Sequence, residues 1–151
     1  MERIDKENYY LDIAETVLER STCLRRKYGA IIVNHDSIVS TGYNGAARGR
    51  LNCIDTSSCL RDELGIKPGE RYELCRAVHA EANAIISASR ESMLGATMYL
   101  VGHDKAGLIS ACSCAMCRRL IINAGIARVI GRDTKDTYTV YPVKEWMKLD
   151  E

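Results

Sequence analysis

The chain has 151 residues, 46% of them hydrophobic and 27% charged, with 21 Lys plus Arg against 20 Asp plus Glu and a net charge of +1. That length fits a single domain over 1–151 with a core of its own, and so even a charge balance excludes the basic footprint of a protein that grips duplex nucleic acid. The charged stretch Met1-Glu-Arg-Ile-Asp-Lys-Glu-Asn8 lacks the apolar centre of a signal peptide, and no run of 18 apolar residues follows, so a cytosolic protein with no membrane partner is expected.

Taken in order, Leu11, Ile13, Ala14, Val17, Leu18 and Leu24 recur at helical spacing between Glu7 and Arg26 and predict a first amphipathic helix that covers a sheet. Ala30-Ile-Ile-Val33 reads as a strand, Asn34-His-Asp-Ser37 as a turn and Ile38-Val-Ser-Thr-Gly-Tyr43 as the returning strand. Two glycines flank Asn44 in Gly42-Tyr-Asn-Gly45, which predicts backbone that bends tightly or approaches something closely. From about 46 to 76 the pattern is irregular and charged, with Cys53, Cys59 and Cys75 set in it. A loop of that length in a compact domain is functional or pinned by something.

Val78 or His79 opens an Ala-rich run to Ile86 without Gly or Pro, a helix by propensity. His79 and Glu81 fall in its first turn, where free N–H groups and the dipole's positive end favour anions. Ala96 to Val101 predicts a strand, and Leu108 to Ala111 a short strand or an extended entry to Cys114-Ala-Met-Cys117. A second helix follows and ends at Gly125. Ile126 to Ile130 predicts another strand, and Val143 to Leu149 a terminal helix. Strands alternating with helices give an α/β domain whose central sheet is covered on both faces.

Seven cysteines in a reducing compartment point to metal ligands rather than disulfides. One His and two Cys make a three-ligand zinc set with a fourth position open to water, which is a catalytic arrangement. Glu81, two residues from a ligand and not itself one, is left as the proton carrier. H-x-E followed by C-x-x-C 35 residues on is the recorded signature of the zinc deaminases. C-x-x-C alone would equally mark a redox site or a structural zinc ribbon, but a structural site has no use for Glu81.

The chain resembles the deoxycytidylate (dCMP) deaminases of the cytidine deaminase superfamily, and more widely the phage and bacterial members related to late competence proteins. The resemblance runs from about Ser21 to Val129. It is carried by Cys23 with Lys27-Tyr-Gly-Ala-Ile-Ile-Val33, Gly42-Tyr-Asn-Gly-Ala46, Asn52-Cys53, Cys75-Arg-Ala-Val-His-Ala-Glu81 and Ile121-Ile-Asn-Ala-Gly-Ile126. It implies a three-layer α/β/α sandwich around a five-stranded mixed sheet and a homo-oligomer. It further implies zinc held by His79, Cys114 and Cys117, Glu81 as proton shuttle, Asn44 in substrate binding, and conversion of dCMP to dUMP and ammonia. Ser113 and Ala47 stand where the family has prolines, which loosens two loops. Cys112 is expected to be an ordinary buried thiol.

Related substrates remain open within the superfamily: cytidine, guanine, a riboflavin precursor or tRNA adenosine. Arg48 and Arg50, just after Asn44, are suggested partners for a substrate phosphate. Phage-type relatives also carry a second, structural zinc. Cys23 and Cys53 match two of its ligands, and Cys59 and Cys75 would replace the histidines this chain lacks upstream of His79.

Overall fold

The structure, a computed structural model, describes residues 2–148. Its first helix, α1 (Lys6–Leu18), is capped by the Asp5 carboxylate, which accepts a hydrogen bond from the Asn8 N–H and satisfies a free donor of the first turn. Periodicity predicts this helix as far as Arg26, but it ends at Leu18. Ser21 explains the stop: its buried hydroxyl lies 2.5 Å from Asn44 Oδ1 and 2.9 Å from the Asn44 carbonyl, which turns the chain off the helix axis.

Strands β1 (Lys27–Asn34) and β2 (Ser37–Tyr43) form the expected antiparallel hairpin. Its two turn residues, His35 and Asp36, both have positive φ, as a two-residue turn matched to strand twist requires. The two-residue strands β3 (Gly45–Ala46) and β4 (Ala77–Val78) pair antiparallel and close off the segment 47–76. That segment is less irregular than expected, since it holds α2 (Cys53–Thr56), α3 (Leu60–Glu63) and a 3-10 turn at Tyr72–Leu74.

Helices α4 (Ala80–Ile86) and α5 (Arg90–Met93) lead to β5 (Thr97–Asp104), β6 (Gly107–Ile109), α6 (Ala115–Ala124), β7 (Arg128–Arg132), β8 (Tyr138–Pro142) and α7 (Val143–Trp146). The expected terminal helix is therefore shorter, and Leu149 lies outside the described residues. The main path of the sheet runs β2-β1-β5-β7-β8, five strands as expected, with β6 added on β5. It is mixed: β5 and β7 are parallel, the other pairs antiparallel.

Strand alternation sorts the core into two layers. Ile31, Val33, Tyr99, Val101 and Ile130 face Leu11, Ala14 and Leu18 of α1. Ala30, Ile32, Met98, Leu100 and Val129 face Ala80, Ala84, Ile121 and Trp146. Helix α1 thus covers one face, and α4, α6 and α7 the other, which is the three-layer α/β/α sandwich anticipated above.

Candidate metal centre and cavity

Two helix starts converge on one point. His79 is the N-cap of α4 and Cys114 the N-cap of α6, both in extended backbone, so free N–H groups and positive dipole ends of both helices aim at the same place. Helix α4 lies against β2 at a separation that only glycine permits. A Cβ on Gly42 would sit 2.4 Å from both the Ala80 oxygen and the Ala84 nitrogen. The Ser40 hydroxyl donates to the Ala84 carbonyl at 2.7 Å and the Asn83 amide to the Tyr43 carbonyl at 2.8 Å. In α6 the Cys117 N–H donates to Cys114 Sγ at 3.5 Å, which sets the two sulfurs on one side of the first turn.

His79 Nδ1 lies 3.6 Å from Cys114 Sγ and 3.3 Å from Cys117 Sγ. Among the described residues these three alone form a group of His, Cys or carboxylate ligand atoms lying within 4.8 Å of one another. The fit to zinc can be checked: with Zn–S at about 2.3 Å and Zn–N at about 2.05 Å, a tetrahedral ion sets the N···S edge at about 3.5 Å. Both observed edges are within a few tenths of that value, and the donor set is the one zinc prefers.

The electrostatics agree. The Cys114 thiol is held down to about 4, first by the hydrogen bond from Cys117 and then by His79. Cys117 is pushed up because it keeps the shared proton. His79 is raised, first by its hydrogen bond to Cys114. The trio is a thiolate, a thiol and an imidazole that holds its proton tightly, and a bound dication displaces those protons. Glu81 is only 5% exposed. Burial is the main cause that lifts its carboxyl above the ordinary range, and the Cys114 charge adds to it. The Ser113 hydroxyl is buried beside it and favours the ionised form, yet makes no hydrogen bond of normal geometry.

His79, Glu81 and Cys114 line a cavity whose walls also include Tyr28, Asn44 and Tyr72. Asn44 is 6% exposed and its side chain is largely engaged in holding the wall: Oδ1 accepts from the Tyr28 N–H at 2.8 Å, and Nδ2 donates to the Arg26 carbonyl at 2.9 Å. Tyr72 sets the edge of one ring against the other, its centroid 4.9 Å from that of His79 at 89°. Cys112 differs from expectation. It is exposed at the cavity and accepts from Arg118 Nη2 at 3.2 Å, because the chain there is extended between β6 and α6 rather than packed in the core.

Arg48 and Arg50 are exposed and do not line the cavity. Arg25, Arg26 and Arg61 do. Neither Arg61 nor Tyr72 is singled out by the sequence, where both read as solvated residues of an irregular loop. Cys23, Cys59 and Cys75 lie near Cys53, whose thiol is pushed up by burial first and then by those three. No three of their sulfurs, however, fall within 4.8 Å of one another.

The model of the cytidine and deoxycytidylate deaminase zinc-binding region matches residues 4–132. The chain is 38% identical over 135 residues to a deoxycytidylate deaminase of Mycobacterium phage D29, covering 86% of this chain and 96% of that protein. It is 31% identical over 124 residues to the deoxycytidylate deaminase of Schizosaccharomyces pombe, covering 82% of this chain but only 36% of that longer protein. In three dimensions it is similar to the dCMP deaminase of cyanophage S-TIM5 crystallised with dCMP and dUMP, with a TM-score of 0.60 and 29% identity. That match covers 84% of this chain and 82% of the other.

Proposed function

The chain belongs to the cytidine and deoxycytidylate deaminase zinc-binding family, and from that membership we propose that it is a zinc-dependent hydrolase that converts dCMP and water to dUMP and ammonia. The observation that carries this reading is a buried Glu81 beside a His79, Cys114 and Cys117 group with zinc-like spacing, with His79, Glu81 and Cys114 lining one cavity.

His79, Cys114 and Cys117 would hold the ion. When bound, zinc supplies water acidified to near neutral pH at a site open to substrate. Glu81 moves the protons. Its buried carboxyl binds a proton more readily than an exposed one, so it takes one from the attacking water, gives it to N3 of the pyrimidine, and carries the second to the departing amine. Asn44 shapes the wall that receives the sugar and base.

A second zinc on Cys23, Cys53, Cys59 and Cys75 belongs to the same proposal, supported by the nearness of the other three thiols to Cys53. Assembly into a homo-oligomer is also proposed, supported by exposed apolar side chains such as Leu51 and Ile86. Among the described residues no helix is long and apolar enough to cross a membrane.

Steady-state rates over cytosine, guanine and adenine bases, nucleosides and nucleotides test the substrate. The expected result is a kcat/KM for dCMP above that for deoxycytidine and every purine. A faster purine or free nucleoside would overturn it.

A further inference from the structure

The two ring nitrogens of a metal-bound histidine have different duties, one to the ion and the other, as a rule, to a hydrogen-bond partner that stops the ring from turning. Among the described residues, the hydrogen-bonding contacts of the His79 ring run through Nδ1, to Cys114 Sγ and Cys117 Sγ. What meets the rest of the ring is aromatic. Tyr72 stands perpendicular to it, at 89° with the centroids 4.9 Å apart, the edge-to-face arrangement that ring quadrupoles favour. Tyr72 is braced in turn. The Arg61 Cζ sits 4.6 Å from the centroid of its ring, a cation over an aromatic face, which attracts more strongly away from water. Arg61 is 7% exposed and its Nη2 donates to the Lys67 carbonyl at 2.9 Å.

The backbone holds this stack in a fixed relation to the ligand group. Tyr72 opens the 3-10 turn directly after Arg71, which is in the left-handed region with φ 50°, and the Cys75 N–H donates back to the Tyr72 carbonyl at 2.9 Å. Strand β4 then pairs Ala77 and Val78 with Ala46 and Gly45, and His79 follows at once. On the zinc reading above, we propose that Tyr72 is a positioning residue for the catalytic metal: its ring, backed by Arg61, holds the His79 imidazole in the orientation that aims Nδ1 at the ion. Tyr72 also lines the cavity, so its competing role is a surface for the substrate. The two roles differ in what their loss does. Removing an orienting partner weakens metal binding and turnover, whereas removing a surface that holds substrate and transition state alike raises KM and leaves kcat unchanged.

The test compares Tyr72→Phe and Tyr72→Leu with wild type. Zinc affinity is measured by chelator competition, with the catalytic site identified as the binding component that Cys114→Ser lacks, and the visible spectrum of the cobalt(II)-substituted protein reports ligand geometry there. Tyr72→Leu keeps apolar bulk and loses the ring. Its zinc affinity at that component is expected to fall by about ten- to a hundredfold, with an altered cobalt spectrum and a lowered kcat for dCMP at nearly unchanged KM. Tyr72→Phe should match wild type throughout, because the ring and not the hydroxyl makes both contacts. A Tyr72→Leu variant with the zinc affinity and cobalt spectrum of wild type overturns the assignment, as does a raised KM with zinc affinity and kcat intact. Should Tyr72→Leu fail to fold, Tyr72→Met, whose flexible side chain can refill the gap, decides by the same readings. A wild type with no component that Cys114→Ser lacks strikes the zinc reading and the positioning role with it, while a component of equal strength in wild type and Tyr72→Leu strikes the positioning role alone.

Discussion

Glu81 gains its chemistry from where its first helical turn puts it: inside the protein, one residue beyond Ala80 and next to a cluster that carries a thiolate. Burial raises its proton affinity, which suits the carboxylate to take and return a proton. Replacing Glu81 by Gln keeps the volume and removes the transfer. Zinc content and fold should persist while kcat falls on the order of a thousandfold, read from metal analysis beside steady-state rates. Activity within tenfold of wild type would remove Glu81 from the mechanism. At this scale the sequence is most informative for His79, Glu81, Cys114 and Cys117, because ligand spacing is local and survives without knowledge of packing. Arg25 and Arg61 are silent in the sequence for the opposite reason. What distinguishes them from Arg48 and Arg50 is burial and unmet hydrogen bonding, and both are set by segments distant in the chain.

Among the elements, α4 depends on β2 in a way that a single methyl group should expose. Gly42 has an ordinary strand conformation, so its value is space and not backbone freedom: an added Cβ would lie 2.4 Å from two backbone atoms of α4. Gly42→Ala should therefore push α4, with His79 and Glu81 in its first turn, away from Cys114 and Cys117. The expected cost is about 1–3 kcal/mol of stability, the usual penalty for overpacking, with a loss of kcat of about tenfold or more, since misplacement by a fraction of an ångström is enough. Chemical denaturation and kinetics on the same preparation measure both, and an unperturbed kcat would show that α4 can retreat without carrying the site. The hairpin, β5, α6 and its Gly125 stop are all legible in sequence because each has a local signal. The end of α1 is not, because it is decided by the Ser21 contact with Asn44, 23 residues away. Strand β8 escapes notice because its burial is slight on both faces, leaving only a short β-branched and aromatic run without strong alternation.

Across the whole molecule, the segment 47–76 walls the cavity beside the candidate metal centre. It leaves the sheet at β3 and returns at β4, contributes Arg61 and Tyr72 to the cavity, and buries few apolar side chains of its own: within it Cys53 and Arg61 are the residues classed as buried. Ordering such a stretch costs roughly 1–2 kcal/mol per residue in backbone entropy, which its three short helical turns do not offset. The second zinc proposed on Cys23, Cys53, Cys59 and Cys75 would supply the missing stabilisation and would account for a placement. Arg25 lies two residues after Cys23 and Arg61 two residues after Cys59, so closing the four thiolates on one ion would fix both arginines against the cavity. Cys53→Ser should then reduce the metal content from two zinc ions per chain to one and destabilise the fold by about 4–5 kcal/mol, the class of loss expected when a metal site is removed. Metal analysis and thermal denaturation measure the two effects. One zinc per wild-type chain, together with a Cys53→Ser variant as stable as its parent, would end the structural-zinc proposal and leave the reacting centre as it stands.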